Sequence, residues 1–375
     1  MAVGDIMLGR KVAGRVSDAG PEALFCHVKE FLGKSDILIG NLEAPLLDTK
    51  EKPDPRVPIP LKAPEEAAKS LRLSRISIMN LANNHIMDYG LRGLNHTVRL
   101  LELAGVLHCG AGTDLEEATA PLDVDVKGLR LSFLSFSSSY NADSQSAGTA
   151  PLDGNLIQKA VAAQSQVSDF VIVSLHHGVE YSDYPTPSMV KMARQVVEAG
   201  ASLVLGHHPH VLQGIERYHG GIIAYSLGNF VFDSADPQVR LDAHRGCLLG
   251  VKYGVQFPPD DDRPCQSAVL EIRFAKNRPL EYTVHPAMIM QDFAPALLQG
   301  KDAERVLMRL EALSSGIGNP DLPENVLLKR LQEDSLKSYL KNNSFRYYLR
   351  KMRHLNHHHL KLIPELLRAK FLDKH

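Results

Sequence analysis

The segment GHHPH, residues 206–210, places three histidines within four positions, directly after the apolar run ASLVLG. Imidazole is costly to bury without a partner, and it is the commonest side-chain ligand of transition metals. A metal site and a few hydrogen-bonded core histidines are therefore the two interpretations of this segment. His208 and His210 are separated by one residue, so on an extended segment both rings would point the same way.

Four other polar clusters follow short apolar runs in the same manner: GD at 4–5, GNLE at 40–43, ANNH at 82–85 and LHHG at 175–178. Taken singly, each has an ordinary explanation as a turn residue, a helix cap or a packed histidine. Their repetition predicts one shared site, because loops beyond the carboxyl ends of strands converge in layered α/β folds. Carboxylate, amide and imidazole groups without thiolates suit Mn²⁺, Fe, Zn²⁺ or Mg²⁺ and argue against a zinc finger. The candidate metal ligands are Asp5, Asn41, Glu43, Asn84, His176, His208 and His210.

These clusters require strands and helices that hold them in place. The apolar runs predict strands at MAVGDIML, 36–40, 76–82, 129–136, 169–176 and 201–206. Apolar residues at helical spacing predict helices over 90–104 and 187–199, each followed by a glycine suited to a left-handed C-terminal residue. This alternation of strands and helices predicts an α/β fold.

The pattern changes after residue 206. Runs such as GIIAYSLGNFVF, SAVLEIRFA and LEYTVHPAMIM are separated by turns and predict hairpin strands, whereas the sequence from about residue 294 has helical spacing. We therefore predict one domain over residues 1–293 and a helical C-terminal extension over residues 294–375.

Charge is unevenly distributed along the chain. The net charge is −1, but residues 329–375 contain twelve Lys and Arg against four Asp and Glu, which leaves the remaining residues with a charge of −9. Such a basic tail predicts a partner of its own, either an anionic membrane surface or an assembly partner. The alternative is a helical cap that packs on the acidic body. No basic platform interleaved with aromatic residues is present, which argues against nucleic acid as a partner.

No apolar run is long enough to span a bilayer, and the N-terminus lacks the features of a secretory signal. The cysteines at 26, 109, 247 and 265 have no C-x-x-C spacing, which favours free buried thiols in a reducing compartment. The sequence as written therefore predicts a cytoplasmic protein, with a position peripheral to the membrane as a second option.

The chain also resembles a known family, in six segments that occur in order: GDIMLGR, GNLEAPL, LANNHIMDYG, SLHHGVEY, GHHPHVLQGIE and YSLGNFVFD. These are similar to the CapA family of bacterial capsule and poly-γ-glutamate synthesis proteins, a branch of the calcineurin-like metallophosphoesterase superfamily. The resemblance covers roughly residues 2–290. It implies a four-layer α/β/β/α sandwich with two divalent metal ions between the strand ends.

The resemblance also implies roles for individual residues. Asp5 matches the first acidic ligand, Asn84 and His176 match further ligands, and His208 and His210 match the closing pair. His207 is an additional candidate ligand, and Tyr225, Ser226 and Asn229 match a segment expected to support the ligands. His85 is implied as the acid that protonates the leaving group. Arg10 is a candidate to bind phosphate or carboxylate in a forked geometry, with a surface salt bridge as its alternative.

Two positions depart from the superfamily pattern. Met7 stands where a histidine is usual, and Asn41 stands where the bridging aspartate is usual, with Glu43 as the nearby carboxylate that could replace it. One metal position is then weaker, rebuilt around Glu43, or empty.

The resemblance therefore implies a metal-dependent hydrolase that acts on a phosphoester or on a surface polymer, with γ-glutamyl amide hydrolysis as a close variant. The alternative is a non-catalytic component of a polymer-assembly complex that metal stabilises.

Overall fold

The structure is a computed structural model that describes residues 1–47, 50–57, 59–235, 247–248, 251–252 and 261–319. The basic tail over residues 329–375, and the part of the predicted helical extension from residue 320 onward, lie outside the described residues. The described strands are β1 (Ala2–Ile6), β2 (Ile39–Leu42), β3 (Ile78–Asn80), β4 (Leu107–Cys109), β5 (Ala111–Gly112), β6 (Leu122–Val126), β7 (Leu129–Ser137), β8 (Gly148–Thr149), β9 (Phe170–His176), β10 (Leu203–His207), β11 (Ile215–Tyr218), β12 (Gly221–Ala224), β13 (Asn229–Val231), β14 (Cys247–Leu248), β15 (Val251–Lys252), β16 (Gln266–Arg273), β17 (Glu281–Ile289) and β18 (Pro295–Leu297).

The helices lie between these strands, and short 3₁₀ turns occupy residues 23–25, 233–235 and 263–265. The described α-helices are α1 (Arg10–Ala19), α2 (Lys29–Leu32), α3 (Ala67–Leu73), α4 (Gly90–Ala104), α5 (Leu115–Thr119), α6 (Gly154–Gln164), α7 (Pro187–Glu198) and α8 (Gly300–Ser315). The bounds predicted for the second and third longest of these, α4 and α7, are confirmed to within one residue. Gly105 after α4 has a left-handed φ of 70°, and the Thr186 side chain caps the start of α7.

Within the described residues, the chain forms two large sheets. The first has eight strands, in the order β18-β17-β16-β1-β2-β3-β4 with β13 also paired to β1. The second has six strands, in the order β11-β12-β10-β9-β7-β6. The strands at the middle of each sheet run parallel, whereas β16, β17 and β18 add antiparallel strands to the first sheet and β6 and β11 form antiparallel edges of the second.

Three apolar cores of the described residues define the layers. One core joins the first sheet to α1–α4, the second lies between the two sheets, and the third joins the second sheet to α6 and α7. The strands contribute alternate residues to these cores: Leu203 and Leu205 enter the core between the sheets, and Val204 enters the core under the helices. The layer order is α/β/β/α, so the four-layer sandwich implied by the resemblance is confirmed.

Three strand predictions need correction. The strand predicted at 36–40 lies at 39–42, and residues 295–297 form β18 where helical spacing was predicted. The run GIIAYSLGNFVF is a hairpin strand only in its first part: β12 forms an antiparallel hairpin with β11 in the second sheet, whereas β13 pairs in parallel with β1 in the first sheet. Apolar runs reveal strands but not their partners, and this segment crosses from one sheet to the other. The predicted hairpin of β16 and β17 is confirmed.

The described part of the predicted C-terminal extension packs on the sandwich. Val306 and Leu310 of α8 join the core between the sheets, and Ser314 accepts a hydrogen bond from the backbone N–H of Ile215 through its hydroxyl (2.9 Å). The boundary at residue 293 stays a prediction.

The backbone of Gly4 lies against the backbone of Gly228, in the segment between β12 and β13, so a substitution at Gly4 should be costly. A Cβ at Gly4 would overlap the carbonyl of Gly228, which accepts a hydrogen bond from the Asp5 N–H (3.0 Å). We expect Gly4→Ala to destabilise the fold by about 1–3 kcal/mol, the usual cost of overpacking. Thermal unfolding checks this, with Gly14→Ala as the matched control: Gly14 lies in α1 with nothing near its would-be Cβ, so alanine there should stabilise by up to about 1 kcal/mol. Equal stability of the two variants would contradict the prediction.

Candidate metal centre

The predicted site residues lie at the carboxyl ends of parallel strands in both sheets. In the first sheet, Asp5 of β1 is in register with Asn41 of β2, which is in register with Asn80 of β3. In the second sheet, His176 of β9 is in register with His207 of β10. Parallel strands bring such residues to one edge, so the site forms where the carboxyl ends of the two sheets meet.

Asp5 lies at the centre of a buried polar cluster. Its Oδ1 accepts a hydrogen bond from the Asn41 amide nitrogen (2.9 Å) and lies 3.1 Å from His207 Nδ1. Its Oδ2 lies 3.3 Å from His210 Nδ1 and accepts a longer bond from the His208 N–H (3.4 Å). One fully buried carboxylate therefore contacts residues from both sheets.

Glu43 and His176 form the neighbouring part of the cluster. His176 Nε2 lies 2.8 Å from Asn84 Oδ1 and 3.9 Å from Glu43 Oε1, and the His176 and His208 ring centroids are 5.0 Å apart. Glu43 Oε1 also lies 3.3 Å from His210 Nε2. The structure thus brings together all the side chains predicted as ligands; their roles as ligands remain a prediction.

Asn41 enters this cluster through its amide nitrogen. That nitrogen donates to Asp5 Oδ1 and to Glu43 Oε2 (3.0 Å), while the Asn41 oxygen accepts from the amides of Asn80 (2.9 Å) and Asn83 (3.2 Å). An amide NH₂ has no lone pair to offer a metal ion. In this orientation Asn41 does not direct a ligand atom at the cluster.

The sequence suggested that the segment from His208 to His210 is extended, but in the structure it is not. His208 and His210 have φ values of 94° and 59°, in the left-handed region that non-glycine residues rarely adopt. Both rings reach the cluster through this turn around Pro209, and backbone strain of this kind is commonly retained at functional sites. His210 Nδ1 also lies 2.9 Å from Asn229 Oδ1, so its Nε2 faces Glu43. A hydrogen bond on the opposite ring nitrogen is typical of metal-binding histidines.

The donor atoms fit a divalent metal ion. Among the described residues, no hydrogen-bond partner is found for the buried atoms Glu43 Oε1, His207 Nε2 and His208 Nδ1. Within this cluster, three groups have ligand atoms within 4.8 Å of one another: Asp5 with Glu43 and His210, Glu43 with His176 and His208, and Glu180 with His208 and His210. Buried donors left without partners, in a set of carboxylates and imidazoles, are what a transition-metal or Mg²⁺ site requires.

Burial and mutual contact shift the pKa values of the cluster. Burial opposes ionisation of Asp5, yet bonds to His207 and His210 hold its pKa well below the usual range. Burial and the Asp5 carboxylate raise the pKa of Glu43. Burial and the nearby His208 lower the pKa of His176 well below its usual value. His176 is therefore neutral near pH 7, the form that binds metal.

The metal-free chain should lose stability in mild acid. Burial lowers the pKa of His208 and of its neighbour His177 to about 4, against about 6.5 in the unfolded chain. The unfolded state then binds more protons between these values, so this contribution is present above pH 6.5 and is lost as the pH falls to 4. We expect a loss on the order of 1–3 kcal/mol per histidine.

Urea unfolding of the metal-free chain at several pH values checks this prediction, and His177→Asn should flatten the profile. Burial alone would lower the pKa of His210, but Glu43 and Asp5 raise it to about 10, so its effect falls above pH 6.5. The raised pKa of Glu43 offsets part of the loss, because the folded state takes up that proton before the unfolded state does as the pH falls. The lowered pKa of His176 adds to the loss. A profile that is level from pH 7 to 4.5 would contradict the prediction.

The predicted acid His85 follows the cluster residue Asn84. Its Nδ1 lies 2.8 Å from the buried Asp88 carboxylate, which also accepts a hydrogen bond from the Leu61 N–H (2.7 Å). The side chain is 17% exposed and so is accessible to solvent. Asn83 holds the backbone here by accepting bonds from the N–H groups of residues 85 and 86.

Arg10 is the first residue of α1, and its Nη1 lies 3.8 Å from the buried Asp233 carboxylate. Its side chain is 38% exposed, so Asp233 does not bury it. Of the three predicted supporting residues, Asn229 contacts His210. The Tyr225 hydroxyl bonds to Glu216, and the Ser226 hydroxyl accepts from the Gly228 N–H.

Sequence reasoning missed Asn80, Asp88 and Glu180. Asn80 ends a strand next to the ANNH cluster, and Glu180 stands in the segment SLHHGVEY, so their strand-end positions could have marked both. Asp88 had no such signal, since its role depends on the fold of residues 83–88.

Residues 1–234 match the family model described as bacterial capsule synthesis protein PGA_cap. The capsule biosynthesis protein CapA of Bacillus anthracis is 36% identical over 241 residues, which cover 62% of this chain and 59% of that protein. The PGA biosynthesis protein CapA of Bacillus subtilis is 34% identical, with 64% of each chain covered. The matched segment thus spans about three fifths of those relatives. A hypothetical protein from Thermus thermophilus superposes with a TM-score of 0.45 at 16% identity, over 76% of this chain and 97% of its own.

Proposed function

The chain belongs to the bacterial capsule synthesis protein PGA_cap family, and from that premise we propose that it is a metal-dependent hydrolase of the metallophosphoesterase type. It acts in the synthesis or turnover of a bacterial surface polymer, either poly-γ-glutamate or capsular polysaccharide. The observation that carries the proposal is the buried cluster of Asp5, Glu43 and four histidines, in which three donor atoms have no partner among the described residues.

The chain's own residues suit hydrolysis. Divalent metal ions would be held by six side chains: Asp5, Glu43, Asn84, His176, His208 and His210. The resemblance to the superfamily implies two such ions. Such ions would lower the pKa of a bound water and offset charge that develops on the reacting oxygens. His85 donates a proton to the leaving group from Nε2, because Asp88 occupies Nδ1. Arg10, whose side chain is partly exposed, binds a substrate phosphate or carboxylate.

The experiment is a substrate panel on the purified full chain. The chain is stripped of metal, and Mn²⁺, Fe²⁺, Zn²⁺ or Mg²⁺ is added back before phosphomonoester, phosphodiester and γ-glutamyl substrates are tested. Turnover that requires added metal and is lost in His85→Gln supports the proposal. Metal binding without turnover on any substrate refutes it.

A second candidate is a non-catalytic component of a polymer-assembly complex that metal stabilises. Two observations favour it: Asn41 faces the cluster with its NH₂, and Met7 is buried with its sulfur accepting from the Gly9 N–H (3.1 Å), so neither offers the expected ligand. Refutation of hydrolysis in the panel is the outcome that supports this candidate.

Localisation and partners complete the proposal. No helix of the described residues is both long and apolar enough to cross a membrane. The basic residues beyond Lys329 are proposed to dock on an anionic membrane surface or an assembly partner, in the cytoplasm. Vesicle co-sedimentation of the full chain, compared with a chain that ends near residue 328, tests this docking.

A further inference from the structure

Glu43 belongs to two of the three ligand groups of the cluster. It joins Asp5 and His210 in one group, and His176 and His208 in another. Its Oε1 lies between the two halves, 3.3 Å from His210 Nε2 and 3.9 Å from His176 Nε2, and accepts no hydrogen bond from the described residues. A carboxylate oxygen has two lone pairs, whereas an imidazole nitrogen has one, so Oε1 is the atom suited to serve both halves.

The other oxygen of Glu43 is held in place. Oε2 accepts from the Asn41 amide nitrogen at 3.0 Å, and the same nitrogen donates to Asp5 Oδ1 at 2.9 Å. Asn41 therefore donates a hydrogen bond to one oxygen of the Asp5 carboxylate and to one oxygen of the Glu43 carboxylate. It leaves Glu43 Oε1 and Asp5 Oδ2 directed at His210.

The orientation of Asn41 is fixed by residues behind it. Its oxygen accepts from the amides of Asn80 and Asn83. Asn80 is itself oriented by the Ala82 N–H, which donates to its oxygen, and Asn83 donates to the Leu42 carbonyl. If the Asn41 amide were reversed, its NH₂ would face the amide NH₂ groups of Asn80 and Asn83, which are donors as well. The NH₂ of Asn41 therefore points toward the cluster.

From this arrangement we propose that Glu43 is the shared ligand of both halves of the metal centre, and that Asn41 is a positioning residue that orients Glu43 and does not bind metal. The inference rests on the proposed function only in taking the cluster to be a metal site. The sequence pattern left three options at this position, a weaker metal site, one rebuilt around Glu43 or an empty one, and the geometry selects the site rebuilt around Glu43.

The test uses Mn²⁺ alone, added to the metal-stripped full chain. Stoichiometry comes from equilibrium dialysis, and electron paramagnetic resonance reports whether two ions are spin-coupled through a shared ligand. The wild type should bind two coupled ions. Glu43→Gln should lose the coupling and at least one ion, whereas Asn41→Ala should keep two coupled ions with roughly 10–100-fold weaker affinity, the range for residues that orient a ligand.

Glu65→Gln is the matched control, because Glu65 also pairs with a histidine (His96, 2.8 Å) but lies outside the ligand groups. It should behave as the wild type. If Asn41→Ala fails to fold, Asn41→Ser, which keeps an acceptor for Asn80 and Asn83, replaces it. Two coupled ions in Glu43→Gln, uncoupled or single ions in the wild type, or loss of one ion in the Asn41 variant would each overturn the inference. Coupled ions without hydrolysis would refute the proposed function and leave the inference standing.

Discussion

Asp5→Ala is expected to cost the full chain at least one metal ion, because Asp5 belongs to the ligand group of Asp5, Glu43 and His210. The substitution removes a carboxylate that contacts Asn41, His207 and His210, from strands of both sheets. It also leaves the raised-pKa His210 without one of its two carboxylate partners inside the protein. Removal of one partner of a buried ion pair typically costs about 3–5 kcal/mol, so the metal-free variant should also unfold more readily.

Elemental analysis after dialysis against Mn²⁺ or Zn²⁺ measures the metal, and urea unfolding measures the stability. Asp5→Asn separates the two effects, because it keeps the shape and some hydrogen bonds but loses the charge. Asp18→Ala, at an exposed position of α1, is the control for loss of an aspartate. Wild-type metal content in Asp5→Ala would show that the centre is not built around Asp5.

His85→Gln should keep the metal and lose turnover by about 10²–10⁴-fold, the range for removal of a general acid. His85 lies next to Asn84 but belongs to none of the ligand groups of the described residues, and Asp88 holds its Nδ1. The loss should be largest for substrates with poor leaving groups, because these need the proton most. Asp88→Asn should give a smaller loss, since it removes only the group that orients the ring.

The measurement is turnover on the best substrate of the panel, in two versions that differ in leaving-group pKa. His96→Gln is the matched control, because this histidine also bonds a carboxylate but lies on α4. If His85→Gln retained full turnover with the poorer leaving group, His85 would not be the acid. If it lost metal as well, its role would be structural.

Local sequence signals predicted much of this fold. The bounds of α4 and α7 were predicted from the spacing of their apolar residues and from Gly105 and Gly200, which follow the two helix ends. These signals act within one turn of the helix. The side chains of the centre were predicted because each follows a buried strand, and parallel strands bring their ends to one edge. Both inferences depend on residues close to each other in the chain or on a general property of parallel sheets.

The remaining features depend on contacts between distant segments. The partners of β12 and β13 could not be read from two similar apolar runs. The orientation of Asn41 is set by Asn80 and Asn83, which lie 39 and 42 residues away along the chain. The left-handed turn of His208 and His210 brings two rings to one cluster, which local propensity would not predict for non-glycine residues.

The connectivity of the first sheet bears on how the chain folds as it leaves the ribosome. The strands of the second sheet all lie between residues 122 and 224, with no strand of the first sheet among them. In contrast, β1 pairs with β13 and β16, which begin at residues 229 and 266. One edge of the buried strand β1 therefore has no partner until the chain has been made as far as residue 229. Late pairing of distant strands slows folding, and an open apolar edge invites association between nascent chains. All strands of the second sheet are therefore synthesised before the last strands of the first sheet.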